Sequence, residues 1–319
     1  MLQNNETNQW YIRFFLGFSG WIGALFILLF LAFFVSYAGE ASLPMLLLLS
    51  GSMLILLASI ILVYEQGDFI EQFGLANILA GEGAVAVGLF ALVDDNVALM
   101  VLTILLALLI WIIPHYLHRL IASMGMGISL LWYAHLAHSL EYAIALYSVV
   151  LFTLLLYRDK FKHSTKVEAI IYGLLLAFIA FNYADWFTPK HLIKEHTLIG
   201  LTLSTIVAFS TWKIVQSYAL LKEVKVVSSA LGAVCLSSLY ALSIPNLMIP
   251  ITILIIAFWQ QDKKLLSLSI LLGLFSLSRY YYFMGNSLLE KSQILLLSSL
   301  GFIIAYGVLQ LLFKKDTHA

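Results

Sequence analysis

Glu71 and Glu82 stand eleven residues apart inside apolar sequence. On a helix that spacing is three turns, which puts both carboxylates on one face about 16 Å apart. Glu82 lies between Gly81 and Gly83, near the middle of its hydrophobic run. An ionisable side chain at that depth is costly and ordinarily faces a bundle interior or a watered cavity. The pair suits a proton or cation path leading inward from Glu65 and Asp68. The plainer alternative is a protonated Glu82 hydrogen-bonded to a neighbouring helix.

Two further clusters have suitable residue types. His135, His138 and Glu141 recur at every third position, so on a continuing helix one metal ion could reach two of them. A turn is needed at this point, however, and a solvated interfacial cluster is the competing reading. Near the C-terminus, Arg279, Tyr280, Tyr281 and Tyr282 precede a short polar break, and Glu290 and Lys291 follow it. A hairpin would let Arg279 pair with Glu290 while Lys291 snorkels to the interface. A tyrosine at such a level is ordinarily an anchor, and an arginine in a ligand site would favour an anionic group. His115 and His118, beside Pro114, mark a helix end; Asp94-Asp95 reads as a turn; Asn182, Tyr183, Asp185 and Trp186 read as an interfacial belt. No nucleophile–base arrangement or cofactor motif emerges, and Cys235 alone makes neither a disulfide nor a thiolate metal site.

The elements that must position these residues are membrane-spanning in character. The chain is 62% hydrophobic and only 11% charged, far from the balance of a soluble domain. A net charge of zero gives no argument for nucleic acid. Apolar runs between polar breaks predict an all-α transmembrane bundle of about twelve helices, at roughly 11–36, 43–63, 68–93, 96–114, 118–137, 140–157, 167–186, 197–217, 224–243, 245–260, 265–283 and 288–313. The first run is too long for a signal peptide core and reads as a retained helix. Pro250 makes 245–260 the expected kinked or broken helix. In the third run Gly74, Asn77, Gly81, Ala84 and Gly88 form a small-residue stripe on which another helix can pack closely.

Placing the N-terminus and alternate loops on one side gathers Arg13, Arg119, the 158–166 basic cluster, Lys213, Lys222, Lys225, Lys263, Lys264, Lys314 and Lys315 there. Lys190, Lys194, Arg279 and Lys291 fall on the other. The positive-inside rule then puts both termini in the cytoplasm. The whole chain, 1–319, is expected to be one integral membrane domain, with possible halves 1–158 and 159–319.

The ending SRYYYFMGNSLLEKSQILLLSSLGF resembles the closing motif of a bacterial family of polytopic inner-membrane proteins of unknown function. The opening WYIRFFLGFSGWIGALFILLFL resembles that family's start. The motif positions are Tyr280, Tyr281, Tyr282, Leu288, Leu289, Glu290, Lys291 and Ser292. The resemblance implies an inner-membrane location and a partner, since such genes often neighbour one for a membrane-anchored GDYxxLxY-motif protein. It also implies that a neutral polar residue is commoner at position 82, which argues against a family-wide proton carrier.

The sequence thus favours a carrier of a small solute, resembling secondary transporters, with Glu82 as its intramembrane polar site. A non-catalytic scaffold or assembly partner of the GDYxxLxY protein is the alternative. An enzyme acting on lipid through His135, His138 and Glu141 is the third. Expected surroundings are the lipid bilayer, with no cofactor and no nucleic acid; oligomeric state is left open.

Overall fold

The computed structural model describes residues 10–37, 42–64, 67–161, 164–184, 197–217, 245–283 and 287–293, together with 296, 299, 300, 303 and 307. All the regular structure among them is helical. Seven α-helices fall in a first compact unit, Met1–Ile193: α1 (Trp10–Tyr37), α2 (Leu43–Tyr64), α3 (Asp68–Leu92), α4 (Asp95–Ile112), α5 (Tyr116–Leu136), α6 (Leu140–Leu156) and α7 (Thr165–Ala184). A 3-10 turn, Arg158–Phe161, joins the last two. The second unit, Lys194–Ala319, holds α8 (Thr197–Ser217), α9 (Pro245–Gln260) and α10 (Lys263–Phe283), and a further helix opens at 288. The expected span 224–243 lies outside the described residues, as does most of 294–313.

Local chemistry sets the ends. Pro114 cannot continue α4, which closes at Ile113 with a backbone bond to Leu109. At the end of α5, His138 adopts a left-handed φ of 54°. The His138 and Ser139 amides donate to the carbonyls of His135 and Ala134, a Schellman closure built without glycine. Gln261, with φ 55°, closes α9 in the same way, and Asp262 then caps α10 by accepting from the Lys264 and Leu265 amides. Helix α9 runs through Pro250 without interruption.

In the first unit α2 and α3 form the largest interface, and the glycine stripe explains it. A methyl group on Gly51 would lie 2.8 Å from the Gly81 carbonyl, and one on Gly81 equally close to that of Gly51. Gly88 meets Pro44 and Leu48 in the same manner, so the two backbones touch along the stripe. Helix α1 packs on α3 where Gly20 faces the backbone of Phe69 and Phe73, and Trp21 Nε1 donates to Gln72 Oε1 at 3.2 Å. Helix α5 packs against both α4 and α7; Gly173 lies directly against Ser123 and the Leu120 carbonyl. This α5–α7 packing is why α7 falls in the first unit. In the second unit α9 packs on both α8 and α10.

Four of the described helical stretches are long and apolar enough to cross a membrane: Leu43–Tyr64, Phe69–Leu92, Asp95–Ile112 and Thr165–Ala184. Their outward faces carry large apolar side chains, as a lipid-facing surface requires: Leu56, Trp111 and Leu108 are all exposed.

Candidate functional site

Leu75, Ile78 and Val85 of α3 pack with Leu109 and Ile113 at the end of α4 in one buried cluster. This contact sets the short 113–115 connection beside the α3 face that carries both carboxylates. Helix α5 begins there, and its first turn faces α3.

Two carboxylate–imidazole pairs result. His118 is fully buried, and its Nε2 lies 2.7 Å from Glu82 Oε1, itself buried. His115 Nε2 lies 3.2 Å from Glu71 Oε1, whose side chain is 49% exposed, so this pair stands at the edge. The histidines are one turn apart while the glutamates are about 16 Å apart. The long side chains span the difference, and the start of α5 sits level with the stretch between the two glutamates.

The tautomer of His115 follows from its bonds. It is the N-cap of α5, and its Nδ1 accepts from the His118 amide at 3.3 Å. Its proton must therefore sit on Nε2, facing Glu71. Burial holds the His115 pKa below the ordinary histidine value, against the opposing pull of Glu71; His118 and Arg119 lower it further. Next along the chain, buried Arg119 donates from Nε to the Ile110 carbonyl at 3.0 Å. That places its charge at the negative end of α4.

One atom of the inner pair is left over. His118 Nδ1 is buried and has no hydrogen-bond partner. Whether it bears a lone pair or a proton, such an atom is expensive to leave unmatched. The inner pair is therefore a 2.7 Å imidazole–carboxylate contact with a second, buried ring nitrogen left unmatched. Asn77, on the glycine stripe of α3, is a second buried case: its Nδ2 donates to the Phe73 carbonyl, and its Oδ1 is unmatched.

The other sequence candidates are arranged differently. His135 lies in the last turn of α5, His138 in its left-handed closure and Glu141 in the first turn of α6. Among the described residues no group of three or more His, Cys, Asp or Glu could hold a metal ion. Glu290 accepts from the Ser287 amide at 2.9 Å, while its own amide donates to Ser287 Oγ at 3.4 Å, a capping box that opens the last helix. These bonds of Glu290 are local to the turn that opens its helix. Arg279 is half-buried, and Lys291 Nζ sits 5.3 Å above the Tyr281 ring, which meets Tyr282 edge-on. The side chain of Tyr280 lies outside the described residues. Asn182 and Tyr183 are buried and so form no interfacial belt; Asp185 and Trp186 lie outside the described residues.

Sequence reasoning missed His115 and His118 as partners of the two glutamates. The available signal was their i, i+3 spacing just after a proline that ends an apolar helix. A pair of histidines there faces inward only if the following helix does, and nothing local dictates that.

Fold and site together define an all-helical protein with helices fit to cross a membrane and a buried, paired carboxylate. The chain belongs to the family described as Domain of unknown function (DUF4401), whose model matches residues 9–312. No curated protein and no solved structure matches it.

Proposed function

We propose that this protein is a multi-pass carrier of a small solute in the bacterial inner membrane, with both termini cytoplasmic and Glu82 as its proton-handling group. The observation that carries this reading is the buried Glu82–His118 contact with its unmatched Nδ1. A structural glutamate needs one partner, whereas a group that loads and unloads a proton needs a second basic atom within reach and a way out. The Glu71–His115 pair, half in solvent, supplies a stepping stone on the same side.

A second reading draws on a different observation. The glycine-to-glycine contact of α2 with α3 leaves no space between those helices. A rigid interface of that kind suits a scaffold assembling with a GDYxxLxY-motif membrane protein, in which Glu82 serves only helix association.

Glu82→Gln separates the two. Glutamine preserves size and a hydrogen bond to His118 but cannot titrate. Full-length protein in vesicles with an entrapped pH dye should show solute-stimulated proton uptake across a panel of small solutes. Glu82→Gln should fold normally and lose that uptake. Wild-type proton uptake in the Glu82→Gln protein would remove Glu82 as the proton-handling group, and a wild type without solute-stimulated uptake would end the carrier reading and leave the scaffold.

A further inference from the structure

We propose that the cap of α5 is a pH-operated gate: protonation of His115 releases the first turn of α5 and with it the hold of His118 on Glu82. This rests on the reading of Glu82–His118 as the working pair and names how that pair is regulated.

The gate follows from a conflict at one atom. An N-cap side chain must accept a hydrogen bond from the first turn of its helix. In His115 that acceptor is Nδ1, which receives the amide of His118. The usual N-cap residues offer an oxygen that accepts at any physiological pH, whereas an imidazole accepts only while neutral. Once protonated, Nδ1 points an N–H at the His118 N–H, at the positive end of the helix dipole. The cap becomes a repulsion, and the first turn must open or swing.

The amide that is released belongs to His118, whose ring holds Glu82. The outer event is therefore wired to the inner pair through one residue, with backbone on one side and imidazole on the other. Glu71 sets the direction of the response. As a carboxylate it accepts from Nε2–H in both the neutral and the protonated ring, so it keeps His115 in place while the cap fails.

The charged and titratable groups around His115 are few. Helix α3 contributes Glu71, with Glu82 reached through His118, and α5 contributes His118 and Arg119. Helix α4 carries acid only at its far end, at Asp95, and Glu168 of α7 faces the neighbouring Tyr116. Arg119 is held to the Ile110 carbonyl, so it disfavours the protonated ring without competing for Nδ1. Acid is consequently required to open the gate, and at neutral pH it is shut.

The test is amide hydrogen exchange in the first turn of α5, residues 116–119, on full-length protein in lipid nanodiscs. Rates are corrected for the intrinsic pH dependence of exchange. Between pH 7.5 and 4.5 the wild-type turn should lose protection by about five-fold, the loss of one cap. His115→Asn supplies an oxygen cap that ignores pH, so its protection should stay constant across that range. His115→Ala should show the low protection at both pH values. Constant wild-type protection overturns the proposal, and so does a His115→Asn protein that loses protection as wild type does. The outcome is separable from the carrier test. A pH-dependent turn alongside normal proton uptake in Glu82→Gln would keep the gate and remove the role of Glu82, whereas the reverse pattern would keep the carrier and remove the gate.

Discussion

At the scale of single residues, four side chains define the chemistry, and their exposures rank them. Glu71 reaches solvent, His115 is largely covered, and Glu82 and His118 are enclosed. A hydrogen bond as exposed as Glu71–His115 contributes little by itself. Its value lies in fixing the ring whose other nitrogen caps α5. His115 also sets a pH dependence of stability. Burial lowers its pKa in the folded protein below the ordinary value of about 6.5. Between those two values the unfolded chain binds a proton that the folded chain refuses, so stability is full above the unfolded pKa and falls as pH drops below it. His115→Asn should remove that component. In detergent, thermal unfolding midpoints of wild type and His115→Asn should diverge below about pH 6.5. Parallel curves from pH 7.5 to 5 would show that His115 is not perturbed by folding.

At the scale of elements, α3 does two jobs on two faces. Its glycine face at Gly74, Gly81 and Gly88 lies on α2, and its Glu71–Leu75–Ile78–Glu82 face meets the α4–α5 connection. The rigidity of the first face positions the second, since α3 cannot slide while its backbone is locked to that of α2. Gly81→Ala therefore tests whether the interface supports the site. The added methyl would meet the Gly51 carbonyl at 2.8 Å and the Ile55 side chain at 2.9 Å, and backbone cannot move aside cheaply. Overpacking of this kind costs about 1–3 kcal/mol, which an unfolding titration in detergent resolves. The control is Gly83→Ala, two residues on, where a methyl meets nothing within 4 Å and should be tolerated. Equal behaviour of the two variants would mean that α2 and α3 do not pack through Gly81.

At the scale of the molecule, charge and hydropathy carry the orientation. Basic residues gather on one side of the proposed topology, including Arg158, Lys160, Lys263 and Lys264. Compartment reporters fused after Arg158 and after Lys315 should both report cytoplasm, while fusions at Asp95 and near Lys190 should report the opposite side. A C-terminal fusion on the outer side would remove the even helix count and reverse every depth assigned to the later helices. On this topology the Glu71–His115 pair and the start of α5 open to the cytoplasm, so the acid that opens the gate would be cytoplasmic.

Among the described residues the sequence determined the helices to within a residue or two. The runs read at 43–63, 197–217 and 245–260 are α2, α8 and α9, because an apolar stretch bounded by proline, glycine or charge has one way to satisfy its backbone in a membrane. It also determined that Glu71 and Glu82 share a face, which is arithmetic on the helical period. Their partners were not legible. His115 and His118 lie more than thirty residues from the glutamates, and the contact requires the end of α4 to seat Ile113 on Leu75 and Ile78. That seating depends on side-chain shape in three helices at once, which no local spacing encodes. The start of the last helix shows the opposite case: Ser287 and Glu290 carry a capping box in their spacing alone. Local hydrogen bonding is written in short spacings and can be read directly. Pairing between helices is decided by packing, and only the tertiary structure shows that His118 faces Glu82.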